Sequence, residues 1–133
     1  MLLTRASEYA LLSLDAIRSS DKPIGAEQLA LELNIPKSFL AKILQNLAKA
    51  GILDSLRGAH GGFMLTRDIS EISINSILLA AEGRSPHVFN CAEYADTCPN
   101  GAIGTCAISP FLANFQSRID NFLDDLMLGD ILL

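Results

Sequence analysis

Residues 36–51 read PKSFLAKILQNLAKAG, and the fold follows from how this stretch divides its two faces. Proline has no amide hydrogen to lose in a first turn, and glycine tolerates the left-handed conformation that ends helices, so the stretch predicts a helix from about Pro36 to Ala50, closed by Gly51. Leu40, Ile43, Leu44 and Leu47 recur at helical spacing and form an apolar stripe. On the opposite side the same periodicity sets Ser38, Lys42, Gln45 and Lys49, a row of cations and hydrogen-bonding groups. An ordinary amphipathic helix with a solvated face has this pattern too. The neighbouring segments separate the two readings.

Upstream, after Gly25, AEQLALEL places Ala26, Leu29, Ala30 and Leu33 together, a short helix ending at Asn34. Two helices joined by a tight turn, the second presenting polar and basic side chains, follow helix-turn-helix logic. Before them, Thr4 can cap a helix running to about Arg18, with Ala6, Ala10, Leu14 and Ile17 on one face and Tyr9, Leu12 and Ala16 widening it. Downstream, Ile52–Leu56 and Phe63–Thr66 read as strands around the glycine-rich turn RGAHGG. The expected fold class is therefore mainly α with a small β-hairpin: a winged helix-turn-helix whose wing carries Arg57 to the minor groove. Candidate DNA-binding residues are Lys37, Ser38, Lys42, Gln45 and Lys49 on the helix, and Arg57, Gly58 and His60 on the wing.

Charge is distributed in keeping with this. The net charge of -5 divides into eight Lys/Arg against six Asp/Glu over residues 1–67, or +2, and two against nine over 68–133, or -7. A basic-leaning front half suits phosphates. Neither a secretory leader nor a membrane-length apolar run is seen, so a cytoplasmic protein with no membrane partner is expected. No paired acid and base, phosphate-cradling loop or partnered nucleophile points to an enzyme.

The back half begins with a helix expected at Ile72–Ala81, stopped by Gly83. A linker then leads into a loop holding all three cysteines, Cys91, Cys98 and Cys106, spaced C-x6-C-x7-C. An odd cysteine count fits metal or thiol redox chemistry better than a disulfide framework. Thiolates suit iron–sulfur clusters, zinc or copper, and the spacing is longer than zinc-ribbon knuckles. Ser109-Pro110 signals a last helix with Gly129 as its stop, and Leu112, Phe115, Ile119, Phe122 and Leu126 recur every three or four residues as a dimerisation seam. That helix is expected to pack against a second copy and against the first helix. The implied organisation is a DNA-binding unit over 1–83, a linker and cysteine loop over 84–108, and a dimerisation helix with its tail over 109–133.

Several motifs carry a resemblance: L-T-x(3)-E-Y-A from Leu3, I-x-x-S-F-L-x-x-I-L-x-x-L-x-K-A-G-I from Ile35, R-G-x-x-G-G-F from Arg57, the cysteine loop, and the closing L-G-D-I-L. In this order they resemble the Rrf family of bacterial regulators, including its IscR and NsrR branches. Pro36 stands where relatives often carry serine or threonine, and Ala59 and His60 replace residues common in their wings. The resemblance implies a homodimeric transcription factor that binds a double-stranded DNA operator, with Cys91, Cys98 and Cys106 holding an iron–sulfur cluster, [2Fe–2S] or [4Fe–4S]. The cluster state would set operator affinity in response to redox state, nitric oxide or iron–sulfur status. For the fourth ligand, the IscR branch uses a histidine where this chain has Ser109. The NsrR branch uses a carboxylate from the other subunit, which here is Glu8, and His87 is the second candidate. Zinc or thiol redox chemistry in a winged-helix regulator, and an electron-transfer or cluster-delivery protein, remain the alternatives.

Overall fold

The computed structural model describes residues 3–87, 101 and 106–132. Along the chain run α1 (Arg5–Arg18), α2 (Ala26–Leu33), α3 (Lys37–Lys49), β1 (Leu53–Leu56), β2 (Gly62–Leu65), a 3-10 turn (Ile69–Glu71), α4 (Ile74–Glu82), α5 (Ser109–Asp125) and α6 (Leu128–Ile131). The helix-turn-helix is α2 and α3, and the wing is the antiparallel β1–β2 hairpin, in which Leu53 faces Leu65 and Leu56 faces Gly62. These agree with the expected fold class.

The ends of α2 and α3 show why the turn forms where it does. Asn34 adopts a left-handed conformation at φ 54, which lets the Ile35 amide reach back to the Ala30 carbonyl at 3.0 Å. After α3, Gly51 does the same at φ 78: its amide donates to Ala48 O and the Ile52 amide to Leu47 O, both at 3.0 Å. This paired return satisfies carbonyls that a helix end leaves open. It also aims the chain into β1. Pro36 stands just outside α3 as its amino-terminal cap residue, so the helix starts at Lys37, one residue later than the sequence suggests.

Leu40, Ile43, Leu44 and Leu47 are all buried, as their periodicity predicts. They join Leu14 and Ile17 of α1, Leu29 of α2, Ile52, Leu53 and Ile77 and Leu78 of α4 in one core. Burial of each such side chain contributes about 1.5–3 kcal/mol. The wing is fastened to this core by a third short segment: the Ile24 and Phe63 amides and carbonyls exchange hydrogen bonds at 2.8 and 3.2 Å. Gly62 permits this approach, since at φ 143 a Cβ there would stand 2.5 Å from the Ile24 carbonyl carbon.

The carboxy-terminal region departs from expectation in three respects. First, α4 starts at Ile74 because the Ser73 hydroxyl accepts from the Ser76 amide at 3.2 Å and caps it. Second, the last helix stops at Asp125, and Gly129 lies inside α6 instead of ending α5. Leu126 is extended there because Ser73 and Met127 pair across the chain: the Ile74 amide donates to Leu126 O at 2.8 Å and the Leu128 amide to Ile72 O at 2.7 Å. Leu128 is thereby fully buried, and α6 packs on the 3-10 turn. Third, within the chain α5 packs chiefly on α4, where α1 was the expected neighbour, and α1 packs on α4 and α3.

Candidate nucleic-acid interface and cysteine segment

The polar side of α3 is open: Lys37, Ser38, Lys42, Gln45 and Lys49 are all exposed while the opposite stripe is buried. Lys37 lies 3.5 Å from the Glu27 carboxylate on α2, an exposed pair of small energetic weight. On the wing, Arg57, Gly58 and His60 are exposed in the turn between β1 and β2, and Gly58 takes a left-handed φ of 104. His60 is far in sequence from the cysteines and lies on this wing.

Around the start of α1 the structure assembles contacts that the sequence reading missed. Glu8 is half-exposed and paired with Arg5, Nη1 to Oε2 at 2.9 Å. The Arg5 guanidinium lies over the Tyr9 ring, 5.9 Å from its centroid, and Tyr9 meets Phe39 of α3 edge-on at 5.6 Å and 87°. On the other side of the same turn, the Thr4 and Ser7 hydroxyls both donate to Oε1 of Glu82 at the end of α4. Thr4 is the residue at the cap position of α1, yet its side chain makes no capping bond because Glu82 takes it. No local pattern announces this cluster, since Ser7 and Glu82 are 75 positions apart.

Glu82 immediately precedes Gly83, which ends α4 with φ 77 and starts the linker. The linker is tied to α5: Gln116 Nε2 donates to the Pro86 carbonyl at 2.8 Å and to Asp120 at 2.9 Å. At the far end of the loop, Cys106 is a half-buried free thiol whose carbonyl accepts from the Ser109 amide at 3.2 Å. Ser109 therefore serves the start of α5. Cys91 and Cys98 lie outside the described residues, and among the described residues no set of three or more His, Cys, Asp or Glu side chains converges. His87 is half-buried at the end of the described linker.

The seam residues of α5 divide between two roles. Ile119 and Leu126 pack against the chain's own core with Leu123, the one buried residue of the helix, while Phe122 is 60% and Phe111 61% exposed. Phe111 and Phe115 stack at 5.9 Å, and Leu112 is half-buried. Among the described residues, no helix is long and apolar enough to cross a membrane.

Comparison with known proteins agrees with this arrangement. Residues 3–133 match the Rrf2 family, described as an iron-dependent transcriptional regulator. The regulator IscR of Vibrio atlanticus is 31% identical over 134 residues, covering 99% of this chain and 75% of that protein. The IscR of Vibrio cholerae is 30% identical over 135 residues, covering 100% of this chain and 76% of the relative. Among solved structures, a putative transcriptional regulator from Listeria innocua superposes with a TM-score of 0.75 at 27% identity, covering 97% of this chain and 84% of that one. CymR, the global cysteine regulator of B. subtilis, superposes at 0.69 and 20% identity over 99% and 96% of the two chains, a likeness of fold. With its winged helix-turn-helix and a family match along nearly its whole length, the chain belongs to the Rrf2 family of transcriptional regulators and is not an enzyme.

Proposed function

We infer that this regulator binds its operator as a homodimer whose affinity is set by an iron–sulfur cluster at Cys91, Cys98 and Cys106. The observation that carries the DNA-binding part is the division of α3: four apolar residues buried, and Ser38, Lys42, Gln45 and Lys49 exposed on the other side. In this reading Lys37, Lys42 and Lys49 contact phosphates, Ser38 and Gln45 reach base edges, and the wing residues Arg57, Gly58 and His60 follow the backbone into the minor groove. Arg118 and Arg84 are the only cations in residues 68–133, so the basic character belongs to the front half.

The donor set suits a cluster. Three cysteines fall within sixteen residues of sequence, and Cys106, the described one, is half-buried with its thiol free. When bound, a cluster supplies sensitivity to oxidants, nitric oxide and iron supply. Glu8 is the candidate fourth ligand, contributed by the partner subunit; its carboxylate is half-exposed and must leave Arg5 to ligate. The outward Phe111 and Phe122, the half-buried Phe115 stacked on Phe111, and the seam positions Leu112, Ile119 and Leu126 make α5 the dimer contact in this reading, with Ile119 and Leu126 shared with the core.

Anaerobic purification tests this reading. Brown protein with iron and acid-labile sulfide near stoichiometry, lost on replacing Cys91, Cys98 or Cys106 by alanine, is expected. Electron paramagnetic resonance then distinguishes [2Fe–2S] from [4Fe–4S], and Glu8→Ala is expected to change the spectrum or the cluster's lifetime. Colourless anaerobic protein with tightly held zinc would overturn the cluster assignment.

A further inference from the structure

Arg5 tops a short stack that ends on Phe39 in the first turn of α3. Its guanidinium lies over Tyr9, and Tyr9 meets Phe39, the residue after Ser38 in the first turn of α3, edge-on. The side chain of Arg5 is 71% exposed, so its charge faces solvent at the junction of α1 and α3. The backbone beneath it is pinned, because Thr4 and Ser7 hold the first turn of α1 to Glu82. What can change is the partner of the guanidinium. At present it is Glu8, also half-exposed, at 2.9 Å.

We propose that Arg5 is a DNA phosphate contact held in reserve by Glu8. The proposal rests on the DNA-binding reading of α3 and the wing. An exposed ion pair three residues apart on a helix is weak, and a duplex presents a dense row of phosphates to which arginine binds bidentately. While Glu8 holds Arg5, the pair is neutral and adds nothing to DNA attraction. When the Glu8 carboxylate is withdrawn, by ligation or by substitution, Arg5 stays over Tyr9 beside α3 and turns its free N–H groups to the backbone of the operator. One carboxylate thereby controls one phosphate contact without moving a helix. In a homodimer the effect occurs twice per operator.

The test is a double-mutant cycle on the full chain after chelator treatment, with binding to a short mixed-sequence duplex measured at several salt concentrations. Glu8→Gln is expected to tighten binding and to steepen the dependence of log K on log salt by about 0.9 per protomer, the signature of one added phosphate contact. Arg5→Gln in the same background is expected to remove both changes. Glu71→Gln on the 3-10 turn removes the same charge and controls for net charge. Should Glu8→Gln act equally with and without Arg5, or no more than Glu71→Gln, Arg5 is not the contact and the proposal fails while DNA binding stands. Should the parent chain show no salt-sensitive binding at all, the DNA-binding reading falls and takes this one with it. Both side chains are at least half exposed, so the variants are expected to fold; matched circular dichroism spectra establish that.

Discussion

The Ser7 hydroxyl donates to Glu82 Oε1 over 2.6 Å, joining the first turn of α1 to the last residue of α4. Ser7 is fully buried, and Thr4 donates to the same oxygen. The turn that carries Arg5 and Glu8 is thus fastened to the residue from which the linker to the cysteines departs. The start of the linker and the first turn of α1 are therefore joined through two hydrogen bonds, and α1 in turn touches α3 through Tyr9 and Phe39.

Removing the acceptor leaves a buried hydroxyl without its partner. Glu82→Ala is expected to lower unfolding stability by about 1–3 kcal/mol in denaturant titration. Combining it with Ser7→Ala is expected to cost less than the two single changes together, because the second change removes the orphaned donor. Strict additivity would show that the contact carries no coupling.

Gly62 is fixed by geometry more than by taste for flexibility. Its φ of 143 and the approach of the Ile24 carbonyl leave no room for a methyl group. Gly62→Ala is expected to destabilise the fold by more than about 1 kcal/mol and to weaken DNA binding through a displaced wing. Gly25→Ala, where a Cβ would meet nothing within 4 Å, is the matched control and is expected to be far milder.

The exposed aromatic face of α5 predicts a change of assembly without a change of fold. Phe122→Asp puts a charge where 60% of the ring is already open to solvent. Sedimentation is expected to shift from dimer to monomer, with far-ultraviolet circular dichroism retained. A dimer of undiminished stability would place the interface elsewhere.

Arg57 stands exposed on the wing turn, with the left-handed Gly58 beside it. Arg57→Ala is expected to weaken operator binding and to make its salt dependence shallower by about 0.9 per protomer. Unchanged affinity and slope would remove the wing from the interface.

Much of the helical plan was legible because local signals sufficed. The stripe Leu40, Ile43, Leu44 and Leu47 has one period and one meaning, and Asn34, Gly51 and Gly83 end helices through backbone conformations that few residues adopt. The polar row on α3 followed from the same arithmetic. The cysteine loop gave a donor set, though not an arrangement. Illegible were the contacts between distant positions: Thr4 and Ser7 with Glu82, Ile24 with Phe63, and Ser73 with Met127. Serine and threonine near a helix start look like caps in any sequence, and nothing local says that a carboxylate from another helix will claim them.

The sequence by itself determined which segments coil, where they stop and which side of α3 stays polar, because periodicity and capping act within a few residues. Only the tertiary structure decided how α5 ends and what its seam is for. Gly129 looked like the stop, yet the pairing of Met127 with Ser73 breaks the helix at Leu126 and draws Leu128 into the core. The burial of that leucine and two backbone hydrogen bonds, one to Ile74 of α4 and one to Ile72 just before it, outweigh the continuation of one helix. The same packing turns Leu123 inward and leaves Phe111 and Phe122 facing out, a division that spacing alone cannot make because both sets are apolar.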